Sequence, residues 1–394
     1  MKKIILSRNF QLLISSMLIC FHMLSYVACK SEIGNCSKPE YLDKQAGLTQ
    51  VDSIVCVANE NSVFTTLFPI SHKNNNISFF DFSTYKILKF KENRESNIFQ
   101  IKHVLDVKND FQMHPGFLPR LFGVINTKSN KYVLLSEPYS ILTDKNLNFN
   151  EKIVSNVNTN KQLFHRIGNI THVFNDTISN NIYFPVSPDL PENHIDFYNI
   201  GRILKVNLET NTSTLLQLGL PDDYKPNTKY GLFSIPLLVV LNDNLYYIFP
   251  GSNYLYQYNL RTNNLHCILI RPKYAKIGTK EIGNDPNDIF FSLFECDIFY
   301  RMIVVNDKIL LLYWKGKRQE SAKPRATFKD LNCFMILYCP KKNEVLFDSY
   351  LDVKGVNKNP VYVKNDILYF QKLDELNMNE IKTTFLRYRI SIED

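Results

Sequence analysis

The residues of this sequence whose types and spacing could recognise a ligand lie in two short segments. In the first, Asp297 is followed by Tyr300 and Arg301 within an aromatic stretch. A guanidinium beside a phenol ring could bind an acidic or carbohydrate ligand, because arginine presents several donors to oxygen acceptors. The alternative is structural, since Arg and Asp in a strand-rich segment commonly pair with each other. Ligand binding by these three residues is therefore one hypothesis, and an ion pair between Arg301 and Asp297 is the other.

The second segment contains His165 and Arg166, with His172 a few residues further on. One β-hairpin could present both rings to a ligand, although polar loop positions explain these residues as well. No group of Cys or His residues has the spacing of a metal site, so neither a metal nor a cofactor is expected. The oxygen-rich segment 283–288 could hold calcium but is explained more simply as a turn.

Established catalytic signatures are missing from the sequence. It contains no GxSxG elbow, HExxH, Walker loop, GxGxxG or EF-hand pattern. Enzymes that gather their catalytic groups from several repeats have no such short motif, so a hydrolase or lyase acting on an extracytoplasmic saccharide stays open as the alternative. The leading prediction is a binding or scaffold module, and no catalytic residue is assigned.

The start of the chain predicts export. Residues 1–28 carry three cations and no acid, and their apolar run ends just before Cys29. This pattern is typical of a bacterial lipoprotein signal, with Cys29 as the lipidated residue and residues 29–44 as a flexible tether. Tyr26 stands where an aliphatic residue is usual, so ordinary cleavage and a retained anchor are alternatives. The predicted address is the cell envelope, at the outer membrane or facing the periplasm.

The charge pattern does not favour a nucleic-acid partner. The formal net charge of +8 falls to +5 when the three cations of the signal are removed. The remaining Lys and Arg are interspersed with Asp and Glu, as on an ordinary solvated surface. With 45% apolar residues the chain can bury a sizeable core, in one large β domain or in two ordinary domains.

Six cysteines follow Cys29, and an exported location permits disulfides. Cys36 with Cys56 and Cys333 with Cys339 are candidate local bridges, although the sequence leaves the pairing open. The alternative is that most of these cysteines are small buried apolar residues.

A recurring pattern of strands predicts the fold. Short β-prone runs follow polar turns, and their equivalent points are Val63, Tyr132, Ile182, Leu245, Ile309 and Ile367. These points are 69, 50, 63, 64 and 58 residues apart. A second element of strand, polar turn and strand recurs at residues 79–90, 203–218, 255–270 and 335–350.

Together the two elements leave room for four strands in each repeat of about sixty residues. Six such sheets arranged radially would make an all-β, six-bladed β-propeller with four-stranded antiparallel blades. We expect one continuous domain over residues 45–394, in which residues 45–56 add a strand that closes the ring against the last repeat. A pair of β-sandwiches is the alternative.

The segments FFSLFECDIFYRMIVVNDKILLLY (290–313) and LYQYNLRTNN (255–264) resemble a family of Bacteroidota lipoproteins of unknown function. The resemblance covers most of the mature chain. It implies a six-bladed β-propeller and an envelope lipoprotein, and it carries no assigned chemistry. The expected partners are an envelope protein, a peptide or a glycan, together with the membrane through the N-terminal lipid.

Overall fold

The computed structural model describes most of the chain that follows the predicted signal. The described residues are 36–57, 67–73, 76–93, 98–110, 121–136, 139–153, 163–165, 173–176, 178–191, 194, 197, 203–216, 218, 221, 223–225, 228–279, 281, 294–317, 331–360, 362–364, 366–372 and 382–392. The predicted signal, the predicted lipidation site Cys29 and the first part of the predicted tether lie outside them.

Regular structure in the described residues is almost entirely β. The strands are β1 (Glu40–Tyr41), β2 (Ala46–Val57), β3 (Leu67–Lys73), β4 (Asn76–Asp81), β5 (Lys86–Asn93), β6 (Ile98–Asp106), β7 (Leu121–Asn126), β8 (Tyr132–Ser136), β9 (Ser140–Thr143), β10 (Phe149–Ile153), β11 (Leu163–His165), β12 (Phe174–Asp176), β13 (Asn181–Pro188), β14 (Ile203–Asn207), β15 (Thr212–Leu216), β16 (Leu237–Leu241), β17 (Asn244–Ile248), β18 (Tyr254–Asn259), β19 (Leu265–Leu269), β20 (Ile298–Val305), β21 (Lys308–Lys315), β22 (Asn332–Cys339), β23 (Glu344–Tyr350), β24 (Tyr362–Lys364), β25 (Ile367–Gln371) and β26 (Lys382–Ile392). One turn of α-helix, α1 (Val107–Asp110), follows β6, and a short 3-10 helix spans Gly231–Ser234.

The strands pair with their neighbours in sequence, which gives a β-propeller-like fold. Strands β7 to β10 and β16 to β19 form two four-stranded antiparallel sheets. Strands β11 and β12 both pair with β13, and β14 and β15 complete that sheet. Strands β20 to β23 are antiparallel, and β1 adds to β23 in parallel. The remaining strands form an eight-stranded sheet in the order β24-β25-β26-β2-β6-β5-β4-β3.

The repeat predicted from the sequence corresponds to the second strand of successive sheets. The predicted points Tyr132, Ile182, Leu245, Ile309 and Ile367 lie in β8, β13, β17, β21 and β25, and each of these strands pairs with the strands before and after it in its sheet. Val63 lies outside the described residues. The hairpins predicted at 203–218, 255–270 and 335–350 are confirmed as the third and fourth strands of their sheets.

The hairpin predicted at residues 79–90 has a different place in its sheet. It joins β4 to β5, which are preceded by β3 and followed by β6. It therefore supplies the second and third strands and not the third and fourth. The prediction was offset because it placed the lead strand at Val63, whereas β4 takes the second place and β3 the first.

Asparagine residues allow many of these strands to be joined by short turns. Several non-glycine residues in the turns have positive φ, a conformation that asparagine tolerates better than most residues. These asparagines are Asn130, Asn180, Asn211, Asn242, Asn263, Asn306 and Asn343. Side-chain capping adds to the effect, because the side-chain oxygen Oδ1 of Asn259 accepts hydrogen bonds from the backbone amides of Arg261 and Thr262 at 3.0 and 2.8 Å.

The apolar core lies between neighbouring sheets. One cluster joins β4 and β5 to β7 and β8, a second joins β8 and β9 to β13 and β14, and a third joins β16 and β17 to β21 and β22. The first strands of successive sheets also contact one another, with β3 beside β7, β12 beside β16, β16 beside β20 and β20 beside β24. Each sheet therefore buries its faces against the sheets before and after it.

The N-terminal part of the described chain connects three sheets. A backbone amide of Ser37 donates to the Cys267 carbonyl on β19 at 2.9 Å, and β1 then pairs with β23. The chain continues into β2, which is antiparallel to β26 over most of its length. The predicted pairing of this segment with the last repeat is therefore confirmed.

Both predicted local disulfides are wrong. Cys36 bonds to Cys267, which is 231 residues away, whereas Cys56, Cys333 and Cys339 are free thiols buried in the core. Cys333 and Cys339 occupy opposite ends of β22, and six strand residues separate two positions by roughly 20 Å, too far for a bridge. The alternative of small buried apolar residues holds for these three.

Candidate binding cleft

An open cleft of about 1090 Å³ lies where the sheet of β16 to β19 meets the sheet of β20 to β23. Three backbone segments form it. They are the connection that follows β19 (residues 272–279), the residues that precede β20 (295–297) and the end of β21 (315–316). The cleft is thus built from the ends of strands in two sheets, which is a usual position for a binding site supported by a rigid frame.

Asp297 ties these three segments together. One carboxylate oxygen accepts a hydrogen bond from the backbone amide of Gly316 at 2.7 Å, and the other accepts one from the amide of Lys276, also at 2.7 Å. Carboxylates bonded to amides in this way form strong, charge-assisted hydrogen bonds. The structure therefore places Asp297 in the wall of the cleft, with both oxygens directed at backbone.

The floor of the cleft needs a glycine at its closest contact. A Cβ atom at Gly316 would lie 2.4 Å from the carbonyl oxygen of Glu295, which is closer than atoms can pack. Next to it, the Trp314 ring nitrogen donates to the carbonyl oxygen of Cys296 at 3.1 Å. These contacts hold the segment before β20 against the end of β21, and so fix the shape of the site.

A buried carboxylate supports the outer wall. Asp348 on β23 accepts a hydrogen bond from the Tyr313 hydroxyl at 2.6 Å and one from the Lys273 backbone amide at 2.6 Å. Burial raises the pKa of the Asp348 carboxyl, and these two hydrogen bonds oppose part of that rise. The Tyr274 ring, which is 40% exposed, stacks on Phe334 with the ring centroids 4.9 Å apart. The wall thus ends in an exposed aromatic ring.

Lysines outnumber acids among the lining residues of the cleft. Lys276 and Lys315 are exposed lining residues, and neither forms an ion pair with a described residue. Lys273 is also exposed, and its ammonium group contacts Asp43 at 3.0 Å. Two acids, Glu295 and Asp297, also line the cleft, and Asp297 is already bonded to two amides. The three lysines therefore leave a small excess of positive charge on the lining.

Tyr300 and Arg301 lie deeper, at a β-bulge in the pairing of β20 with β21. The Tyr300 hydroxyl donates to the Lys358 carbonyl at 3.0 Å, and its ring stacks on Trp314 at 4.8 Å. The Nε atom of Arg301 is buried and finds no hydrogen-bond partner in the part of the chain that the structure describes. Burial lowers the pKa of its guanidinium to about 10. The ion pair between Arg301 and Asp297 that the sequence offered as an alternative is not formed.

The other predicted site residues are not brought to the cleft. His165 is in β11, opposite Val186 of β13, in a sheet that does not line the cleft. Arg166 lies outside the described residues, as do His172 and the segment 283–288. The structure therefore places Asp297 in the cleft wall, Tyr300 on the Trp314 ring and Arg301 beside Tyr300 in β20, and it separates His165 from all three. Within the described ranges, no three His, Cys, Asp or Glu side chains form a group that could hold a metal ion.

The lysines and aromatic residues of the cleft were not predicted from the sequence. Lys273, Tyr274 and Lys276 stand in the short run Arg-Pro-Lys-Tyr-Ala-Lys (271–276) directly after β19. Two cations flanking an aromatic residue at the end of a strand were the signal that could have indicated them. The role of Asp348 was harder to predict, because acidic residues near the ends of strands are common.

None of the described helices is long and apolar enough to cross a membrane. No protein-family model matches the chain. The curated proteins also contain no match.

Among solved structures, the chain is similar to a member of the DUF4221 family from Bacteroides vulgatus ATCC 8482. The identity is 13%, the match covers 89% of this chain and 100% of the other, and the TM-score is 0.66. A protein of Bacteroides fragilis NCTC 9343 whose name suggests that it is exported matches at 8% identity, over 91% of this chain and 100% of the other, with a TM-score of 0.47. The first likeness is one of fold, and it agrees with a propeller-like family of unknown function in Bacteroides.

Proposed function

We propose that this chain is a non-enzymatic binding module of the cell envelope, and that its cleft takes an extended anionic segment of a peptide or glycan. The observation that carries the proposal is the pairing of two features in one cleft. Its exposed lysines, Lys276 and Lys315, have no ion-pair partner among the described residues, whereas Asp297 is bonded to backbone amides. A ligand with carboxylate groups would complement such a surface.

We infer that the frame around the cleft is a ring of six four-stranded blades. The eight-stranded sheet supports this inference, because its two halves pack face to face and do not extend as one layer. Phe79 of β4 stacks on Phe385 of β26 with the ring centroids 5.0 Å apart, within a cluster that joins the two halves. Divided there, the sheet gives β3 to β6 as the first blade and β24, β25, β26 and β2 as the last. The side-by-side first strands support the radial order.

We further propose that the protein is exported and held at the envelope by a lipid on Cys29. The signal pattern of residues 1–28 supports export. The disulfide between Cys36 and Cys267 suits an oxidising compartment outside the cytoplasm. It also fixes the middle of the predicted tether to the outer strand β19, and β1 holds residues 40–41 on β23, so that only residues 29–35 could act as a tether. At full extension these residues would hold Cys36 within about 25 Å of a lipidated Cys29.

The hydrolase or lyase alternative requires carboxylates or imidazoles that can reach a substrate. Asp297 in the cleft wall and Asp348 behind it instead accept hydrogen bonds from backbone amides and a buried tyrosine. Glu295 is the other carboxylate of the lining, and no His residue stands beside it there. The contacts of Asp297 and Asp348 favour support of the cleft walls. The binding module is therefore the function that the geometry supports best.

Calorimetric titration tests the proposal. We expect a hexaglutamate peptide or an oligogalacturonide to bind the purified protein more tightly than the neutral probes hexaglutamine and cellohexaose. Replacing both cleft lysines in the variant K276Q/K315Q should weaken binding of the acidic probe by about tenfold or more, as expected when charge-assisted contacts are lost. Lys108, which is exposed on α1 away from the cleft, gives the matched control K108Q. Equal affinity for the acidic and neutral probes, or an unchanged affinity in the double variant, would contradict the proposal.

A further inference from the structure

A second, smaller cavity lies between the strands β4 and β5 and the neighbouring strands β7 and β8. Its volume is about 300 Å³. The lining consists of two lysines, Lys89 and Lys145, with three asparagines, one serine and Tyr132. Each lining residue thus carries a polar group, and the volume is at the lower end of the range of small-molecule sites. No residue of the binding cleft contributes to it.

The two lysines face this cavity without an acidic partner. None of its lining residues is an acid, and neither lysine forms an ion pair with a described residue. Asp144 is next to Lys145 in the chain, but its carboxylate oxygens accept hydrogen bonds from the Asn146 and Asn148 amides at 2.8 Å each and from the Asn148 side chain. Two cations at one cavity repel each other, and a bound anion would offset that repulsion.

The Lys89 ammonium group lies beside the Tyr132 ring, which also lines the cavity. Lys89 is half-buried on β5, where it pairs with Ser78 of β4, and its ammonium group lies 5.3 Å from the centroid of the Tyr132 ring. Burial lowers the pKa of Lys89, and the charge of Lys145 adds to that shift. The same cavity supplies neutral donors from asparagine side chains, which can complete the coordination of an oxyanion.

The turn beside the cavity is also held firmly. The Thr127 side chain accepts a hydrogen bond from the Lys131 amide at 3.0 Å, and the Thr127 amide donates to the Lys131 carbonyl at 2.8 Å. Asn130 in this turn has a φ of 59°. Three of the lining groups, Asn126, Asn130 and Tyr132, therefore project from a defined turn and its flanking strands, so little ordering is needed when a ligand binds.

We propose that this cavity is a second binding site, for the phosphate or sulfate group of a small ligand, with Lys89 and Lys145 as the charged contacts. A tetrahedral dianion can take two ammonium donors and several neutral donors at once, which matches the lining. The volume admits the ion alone or an ester of one sugar unit. The site does not depend on the cleft or on its ligand.

Calorimetry with sodium phosphate, sodium sulfate, glucose 6-phosphate and glucose 6-sulfate tests this site, with sodium chloride at matched ionic strength as the blank. We expect saturable binding of one equivalent of at least one of the four probes. The variants K89Q and K145Q should each weaken it by about tenfold, the fold-change expected for a lost charge-assisted hydrogen bond. If the ester binds more tightly than the free ion, the source is a sugar ester; equal affinity indicates the free ion.

The matched control is K128Q. Lys128 is exposed in the same turn and does not line the cavity, so its replacement should change the affinity by less than twofold. Because the half-buried Lys89 also packs on Tyr132, K89Q could fail to fold, and the exposed Lys145 then carries the test alone. The proposal is overturned if no probe binds saturably, or if K128Q weakens binding as much as K145Q does.

Discussion

The substitution Asp297→Ala tests whether one carboxylate holds the binding cleft together. It removes two hydrogen bonds to backbone amides, those of Lys276 and Gly316, each 2.7 Å long. A hydrogen bond to a charged group contributes about 1.5–3 kcal/mol, and water can reach part of this half-buried site. We therefore expect the free energy of unfolding to fall by about 2–4 kcal/mol, which is large for a single substitution.

Two measurements separate this effect from a general loss of stability. Urea denaturation gives the change in free energy of unfolding. Amide hydrogen exchange then locates it, because Lys276 and Gly316 should lose protection while amides in β8 and β13 should not. The matched control is Asp189→Ala, since Asp189 is exposed at the end of β13. We expect that variant to differ from the unmodified protein by less than about 0.5 kcal/mol.

Asp297 does not hold the cleft together if Asp297→Ala unfolds at the same urea concentration as the control and the amides of Lys276 and Gly316 exchange no faster. That result would mean that the three segments of the cleft are positioned by other contacts. The hydrogen bonds of Asp297 would then contribute little to the rigidity of the cleft.

Three further outcomes follow from particular contacts. Loss of the disulfide in the double variant C36S/C267S should lower the free energy of unfolding by up to about 5 kcal/mol, because the bridge closes a loop of more than two hundred residues; peptide mapping that finds both thiols alkylated in the unmodified protein would contradict it. Gly316→Ala should lower the urea midpoint and weaken binding of the acidic probe together, since the added Cβ has no room; an unchanged midpoint would show that the loop relaxes freely. The Asp348 carboxyl has a raised pKa, so the folded state holds its proton more tightly than the unfolded state. Its contribution to stability is therefore lost as the pH rises from about 4 through the folded pKa, and denaturation from pH 3 to 8 should show a weaker loss over that interval in Asp348→Asn.

The repeat could be predicted because the second strand of each sheet is marked by a polar turn followed by an apolar run. In β21, for example, Asn306 takes a φ of 56° in the turn before a fully apolar run, and both features are visible in the sequence. The pairing of β2 with the last repeat could also be predicted, because β2 is a β-prone run that precedes the first repeat and belongs to none of the repeats that follow. The additions of β1 to β23 and of Cys36 to Cys267 had no local signal, since they join residues far apart in the chain.

The candidate site was only partly predictable for the same reason. Asp297 attracted attention as an acid in an aromatic segment, and the structure does place it at a cleft. Its hydrogen-bond partners are the backbone amides of Lys276 and Gly316, which come from two other segments. Residue type does not indicate which backbone amides will donate to a side chain, so these contacts could not be predicted. The expected ion pair with Arg301 failed because the bulge in β20 and the amides around Asp297 give the two side chains different environments.

The most direct test of the proposed binding function is whether the ligand is recovered unchanged after incubation with the protein. The acidic peptide or oligosaccharide that binds best should be incubated with the purified protein for a day and then analysed by mass spectrometry. A binding module should return the ligand unchanged, with affinity that depends on Lys276 and Lys315. Steady formation of a cleaved product, lost in the variant K276Q/K315Q, would contradict the account and identify the protein as an enzyme.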